Sequence, residues 1–464
     1  MRDTLKNLFM NGKGQTTLQL ILPLIILLLI LVGIAFIVPN LSPVKTMALA
    51  AGMAIFVISF VSTEFGLFIL IFSMLLSPEF VVGTTGGASL GRGVTLRLDD
   101  FLLVIIGFSW LAKMSIHKEL GLFLRTPLNK PIAFYIIICL VSTLFGAIFG
   151  RVNLVTGFFF VLKYFEYMIV YFIVANHLES NKQVQNYLWA MLITCAIVSL
   201  IGIAQIPEGH RVSAPFEGEV GEPNTFGGYL VFMLSIVVGL FLTTPSFRNQ
   251  LIYGALAVLF ATPLFYTQSR SSYLAAIPAM LTFLLLSEKK QWILAAILLL
   301  GVTLPFIAPQ AAKERVMYTF TQGQRQKNVV EVGGVKLDTS LSARIVSWRQ
   351  ASRDYINHPF LGYGVTGYRF LDAQYARVAL ETGFLGIFFF FILLYTIFRQ
   401  TYDSFKVAED PVQRGLAMGF LAGFAGLLFH SIGSNTFIIV RIMEPFWFIT
   451  AMVIMTPHLK KVNS

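Results

Sequence analysis

The sequence predicts an all-α polytopic membrane protein of about 12–14 transmembrane helices, and three observations carry that prediction. Of its 464 residues, 56% are hydrophobic and 12% charged, with a mean hydropathy of +0.76, whereas an ordinary soluble domain carries about 25% charged residues. Apolar runs long enough to cross a hydrocarbon core of about 30 Å recur along the chain. One long polar stretch, 309–377, interrupts them before the last spans.

The first run, 17–38, contains LQLILPLIILLLILVG. Its apolar core is too long for a cleavable signal peptide and no small-residue cleavage site follows, so it is predicted to be an anchor. The runs at 46–61 and 64–77 are short and divided at Ser62-Thr63-Glu64, which reads either as two spans or as one broken, re-entrant unit. Uninterrupted spans follow at 99–115, 130–149, 155–177, 185–205, 224–243, 249–266, 271–286 and 291–308. The last three are predicted at 378–398, 413–430 and 437–456. The chain thus divides into a first block of spans at 1–308, a large loop at 309–377 and C-terminal spans at 378–464.

Charge and cysteine content narrow the class. The formal charge of +11 is dispersed among short loops and forms no single basic stripe, so it reports membrane orientation and argues against nucleic-acid binding. Cys139 and Cys195 both sit inside apolar runs, as small hydrophobes, and make no disulfide or metal framework. Most short-loop lysines and arginines, among them Lys13, Lys113, Lys182, Arg248, Lys289, Arg399 and Arg414, fall on one face if the N-terminus is inside. Both termini are then cytoplasmic, and the 206–223 loop, the turn at Arg270 and the 309–377 loop lie outside.

The outer loop has its own order. Thr339 or Ser340 can cap a helix that places Ile345, Trp348, Ser352, Tyr355 and Ile356 near one face, and His358-Pro359 ends it. Such a helix suits a membrane surface. Gly362-Tyr363-Gly364-Val365-Thr366-Gly367 then turns the chain toward the next span.

The candidate chemistry lies in these outer segments. Arg211, Arg270 and Arg344 stand beside span ends, with Arg349, Arg353, Arg369 and Arg377 further along the loop. A guanidinium offers a planar fork of donors that fits phosphate oxygens, so a diphosphate site is the specific reading and lipid-headgroup or solvated arginines the bland one. His210 and Arg211 precede Glu222-Pro223-Asn224 at the mouth of a span, and Arg270 sits in Thr267-Gln268-Ser269-Arg270-Ser271-Ser272-Tyr273. Arg344 and Trp348 lead to Pro359, Gly362 and Gly364, then Asp372-Ala373-Gln374-Tyr375 and Glu381-Thr382-Gly383-Phe384-Leu385-Gly386. His210 and His358 could serve as bases or simply be solvated. Within the spans, Lys163 and Glu166 share a helix face and predict an internal ion pair, and His430, Arg441 and Glu444 suggest a second. No HExxH or paired Asp-x-Asp motif suggests a metal, and no nucleotide-binding loop stands in a fitting context.

In that order and spacing, these pieces resemble the O-antigen ligase and O-antigen polymerase family of bacterial membrane glycosyltransferases, over about 206–386. The resemblance implies a GT-C-like fold with one large periplasmic loop containing amphipathic helices. It also implies action without metal or other cofactor on undecaprenyl-diphosphate-linked oligosaccharide in the inner membrane, with a glycan acceptor and a chain-length regulator as partners. Carried over, Arg211, Arg270, Arg344 and Asp372 become the catalytic set, and Arg349, Arg353, Arg377, Tyr375, Trp348, Asn224, Glu222 and His210 the substrate contacts. The ligases usually show His-Asn-x-Tyr where this chain has Asp372-Ala373-Gln374-Tyr375, a departure that inclines the reading toward a polymerase. Asp372 is then either a general base or the ion-pair partner of Arg369 or another loop arginine. A secondary transporter or flippase is the competing class, but no internal repeat or pair of broken helices speaks for it.

Overall fold

The computed structural model describes residues 43–84, 93–116, 126–217, 221–321, 331–332, 335–336 and 339–459. The predicted anchor at 17–38 lies outside them. Fifteen α-helices occur among the described residues, together with two short antiparallel hairpins.

Hydropathy located nearly every helix. They run α1 Pro43–Val61, α2 Thr63–Leu76, α3 Leu98–Ile116, α4 Asn129–Ile148, α5 Leu154–His177, α6 Asn181–Gln205, α7 Pro223–Thr243, α8 Phe247–Tyr266, α9 Arg270–Leu286 and α10 Lys290–Ile307. After the loop come α13 Gln374–Val407, α14 Pro411–His430 and α15 Val440–Met455, while the loop itself holds α11 Gln310–Thr321 and α12 Thr339–Tyr355. Among the described residues, seven helices, namely α4 to α8, α13 and α14, are long and apolar enough to cross a membrane, and four shorter apolar helices accompany them, so the chain is a polytopic membrane protein. Ser62 separates α1 from α2, its side chain capping the Phe65 amide at 3.4 Å. With fourteen residues, α2 rises about 21 Å, short of a full hydrocarbon core.

Residues from Ser59 onward form one compact unit. Its centre is the pairing of α7 with α14, which touch backbone to backbone. A Cβ on Gly239 would lie 2.3 Å from the Gly415 carbonyl oxygen, and one on Gly419 would lie 2.7 Å from the Ile236 Cα. Small residues every fourth position, Gly415, Gly419 and Gly423, open this contact, as in other helix pairs that associate where no hydrophobic driving force exists. α9 packs on the same helix, with the Ala275 carbonyl 3.0 Å from where a Gly426 Cβ would lie.

α3 and α15 coincide with predicted spans but carry charges, and most of these meet in a buried network. Arg97, at the end of β2 (Gly93–Arg97, paired with β1, Glu79–Thr84), reaches Asp99 at 2.6 Å. Lys163 on α5 holds both Asp100 and Glu166, the latter at 3.2 Å, which is the ion pair predicted from their spacing. Arg441 does not join His430 and Glu444 as the sequence suggested. It pairs with Glu79 at 3.3 Å and Glu217 at 3.7 Å, Glu444 lies beside Asp99 and Arg97, and His430 hydrogen-bonds Thr436 at 2.8 Å. Helix spacing placed Arg441 and Glu444 on one helix but could not show that other elements supply their partners.

The predicted span 378–398 is also altered. α13 is broken at Gly383, whose φ of 67° and ψ of −162° are non-helical. The Gly362–Gly367 turn packs against this break: the Phe384 amide donates to the Pro359 carbonyl at 2.7 Å, and Tyr363 and Gly364 donate to the carbonyls of Leu380 and Glu381 at 2.8 Å each. Ser142 on α4 donates to the same Glu381 carbonyl at 2.6 Å. Broken helical hydrogen bonds are tolerated at membrane depth where other backbone and hydroxyl groups satisfy them, as here.

Candidate functional site

Arg211 is placed by local hydrogen bonding. Gly209, at φ 75°, ends the short 3-10 turn Ile206–Glu208, and the Gln205 side-chain amide pairs with both backbone groups of Ser213 at 3.1 Å. Between these anchors the Val212 amide donates to the Tyr266 carbonyl at 3.0 Å, laying the loop along the α8–α9 turn. Arg211 then donates through Nε to the Thr267 carbonyl at 2.9 Å and through Nη2 to Asn224 Oδ1 at 3.3 Å. Asn224 is the second residue of α7, and Glu222, just before it, accepts from the Thr225 hydroxyl at 3.0 Å.

Arg270 opens α9, directly after Ser269, whose side chain caps the helix by accepting from the Ser272 amide. The sharp turn that brings it there passes through Gln268 at φ 49°. Arg270 feels the positive charges of Arg315, Arg344 and Arg211, in that order. The charges of three arginines, from the α6–α7 loop, α11 and α12, therefore bear on Arg270 at the start of α9. Burial, followed by the charge of Arg315, lowers the Arg211 pKa, although a guanidinium stays protonated at any relevant pH.

Asp372 closes the cluster. The Arg344 Nη2 donates to its Oδ2 at 3.2 Å, in a partly exposed ion pair. The segment carrying Asp372 is fixed by the linker between α14 and α15: Asn435 donates to the Leu371 carbonyl at 2.8 Å, the Gln374 amide to the Ser431 carbonyl at 3.1 Å, and the Phe437 amide to Gln374 Oε1 at 3.0 Å. The same linker approaches Arg344 and Ser271, each 3.9 Å from the position of a Gly433 Cβ. His430 lies below, buried, and its electrostatics register Arg344.

The other sequence-selected residues lie elsewhere or on the margin. Arg377 is turned inward and pairs with Glu381 at 3.0 Å, and Glu381 also accepts from the Thr366 amide at 3.2 Å. Tyr375 donates to the Leu428 carbonyl at 2.6 Å and stacks on Phe391 at 5.9 Å. Trp348 and Tyr355 pack from α12 onto a small core of Ala351, Leu371, Ala373 and Leu380, so this face of the helix meets protein, while Ser352 and Ile356, expected on it, are exposed. Arg349, Arg353 and His210 are likewise exposed. His358 meets Tyr363 edge-on at 4.6 Å, and its pKa is lowered by partial burial and then by Arg151. Arg315, which the sequence reading passed over, belongs to no motif, and its place in the amphiphilic run Lys313-Glu314-Arg315 was its only signal. Among the described residues no group of His, Cys, Asp or Glu could hold a metal ion.

Fold and site together define a polytopic membrane protein with an arginine cluster, one carboxylate among it, gathered at one end of its helices. Residues 255–391 match the O-antigen ligase family model, and this supports the O-antigen ligase/polymerase family that the sequence resembles. The matched stretch runs from α8 into α13 and contains Arg270, Arg315, Arg344 and Asp372. No curated protein matches the chain.

Proposed function

We propose that this protein is a metal-independent glycosyltransferase that polymerises undecaprenyl-diphosphate-linked repeat units of O-antigen, capsule or exopolysaccharide at the outer face of the cytoplasmic membrane. The observation that carries this reading is the convergence of Arg211, Arg270 and Arg344 beside Asp372. The start of α9, the loop before α7 and the segment before α13 lie at one end, while Lys289 and Arg414 meet the Leu242 carbonyl and Glu288 at the other. The excess of lysine and arginine in the short loops assigned to the opposite side supports an outer site with both termini cytoplasmic.

In this reading the acceptor hydroxyl attacks the anomeric carbon of the donor. Its proton passes to the Asp372 carboxylate, the new glycosidic C–O bond forms, and the bond from the anomeric carbon to the diphosphate oxygen breaks with its electron pair on that oxygen. The diphosphate thereby gains a negative charge, and guanidinium groups fixed before the reaction stabilise it without reorganising. A single displacement inverts the anomeric centre. Arg344 holds Asp372 in place in the resting site.

Transfer of the glycan to a lipid A-core or other acceptor is a second reading, favoured by the description of the matching family as O-antigen ligase. Purified protein supplied only with undecaprenyl-diphosphate oligosaccharide, in the presence of chelator, distinguishes them. A ladder of longer lipid-linked chains supports the polymerase. Product only after a separate lipid acceptor is added supports the ligase, and no turnover with any acceptor returns the secondary transporter or flippase.

A further inference from the structure

Arg315 has an environment that its own fold does not explain. It lies on α11, which Ala312 anchors with a buried methyl. Its Nε is shielded from solvent with no hydrogen-bond partner, and among the described residues no carboxylate pairs with it. Among the described residues its cation–π contact is with Tyr318 on the same helix, at 5.9 Å to the ring centroid. Its charge nevertheless bears on Arg211, Arg270 and Tyr273, and on Arg270 it outweighs that of Arg344. A shielded guanidinium N–H without an acceptor is costly, and proximity to like charges adds to the cost. A bound anion would remove both.

The neighbourhood indicates which anion. Val316 and Met317, next to Arg315, are 45% and 57% exposed, and α10, which leads into α11, exposes Leu298, Val302 and Phe306. A cation flanked by apolar surface at the end of a lipid-facing helix suits an amphiphile with a phosphate head and hydrocarbon tail. We propose that Arg315 is a further binding residue of the site, donating to a phosphate oxygen of the lipid-linked diphosphate as it enters from the bilayer. This rests on the reading of the site given above.

The test uses the full chain in phosphatidylcholine nanodiscs and measures binding of undecaprenyl diphosphate and, separately, of phosphatidylglycerol. Arg315→Gln should weaken undecaprenyl diphosphate about tenfold, as loss of one charge-assisted contact implies. Arg315→Lys should fall between, and Arg248→Gln, at the other end of the helices, should match wild type. An unchanged melting temperature in Arg315→Lys, with a measurable loss of affinity, separates binding from folding. Wild-type affinity in Arg315→Gln beside loss in Arg270→Gln would remove Arg315 and leave the site. An effect of Arg315→Gln on phosphatidylglycerol alone would make it a headgroup contact and overturn the proposal. Wild type that prefers neither lipid would overturn the site itself and Arg315 with it.

Discussion

The Arg344 guanidinium donates to the Asp372 carboxylate across 3.2 Å, tying the second turn of α12 to a residue two positions before the start of α13. A carboxylate held this way has two uses, as base or as anchor for the arginine, and substitutions separate them. Asp372→Asn keeps an oxygen for Arg344 but cannot take a proton. If Asp372 is the base, transfer falls by about two to four orders of magnitude while abundance and melting temperature stay near wild type. If it only anchors Arg344, Asp372→Asn retains most of the activity and Arg344→Ala does not. Initial rates of chain extension for the two variants decide the matter.

Gly383 cannot carry a side chain. Its φ is 67°, and a Cβ there would stand 2.3 Å from the Phe360 carbonyl carbon, inside the contact that seats the Gly362–Gly367 turn on α13. Both the backbone strain and the clash act on the folded state. Gly383→Ala should cost about 2 kcal/mol or more, and the expected outcome is a sharp fall in monodisperse protein after detergent extraction. Normal yield and melting temperature would show that the turn can shift away.

How much of this was legible in the sequence differs between fold and site. The run 130–149 became Asn129–Ile148, and 413–430 became Pro411–His430, because transfer into a bilayer depends on local composition alone. The break at Gly383 was not legible: glycine is ordinary in membrane helices, and only the distant Pro359–Phe360 segment gives this one its conformation. The site shows the same division. Residue type selected Arg211, Arg270 and Arg344, which meet, and equally Arg377 and Tyr375, which turn to Glu381 and the Leu428 carbonyl. Type does not encode direction. Arg315 stayed hidden because the like charges it bears on, Arg211 and Arg270, come from other elements of the chain.

Arg441 joins segments that have little else in common. Buried at 2% exposure, it donates to the carbonyls of Pro215 at 2.7 Å, Phe216 at 3.0 Å and Leu75 at 3.2 Å while pairing with Glu79. It thus holds the middle of the loop that carries Arg211. Arg441→Met removes every one of these contacts, leaving Glu79 only the more distant Arg97 at 4.0 Å and Glu217 no cation among the described residues, a loss of about 3–5 kcal/mol for a buried pair broken on one side. Little folded protein should accumulate. Arg441→Lys, which keeps the charge but not the fork, should fold and lower transfer by misplacing Arg211. Wild-type activity in Arg441→Lys would disconnect the two.

Glu217 sets the pH response of that same junction. It lies in the 209–222 loop, and burial raises its carboxyl to about 8 against the opposing charge of Arg441. Its oxygen accepts from the Glu222 amide at 2.9 Å and the Ala214 amide at 3.2 Å, a role that an amide oxygen can also fill. In the unfolded chain the group titrates near 4.5, so between about pH 4.5 and 8 the folded state binds more protons than the unfolded one. Its contribution to stability is therefore fully present below pH 4.5, declines as pH rises and levels off above 8. Glu217→Gln is permanently neutral and removes this term. Melting temperatures of wild type and variant across pH 5 to 9 should converge at the acid end and diverge toward the alkaline end, with the variant higher. Parallel curves would place the Glu217 charge in the folded state already at neutral pH, held there by Arg441.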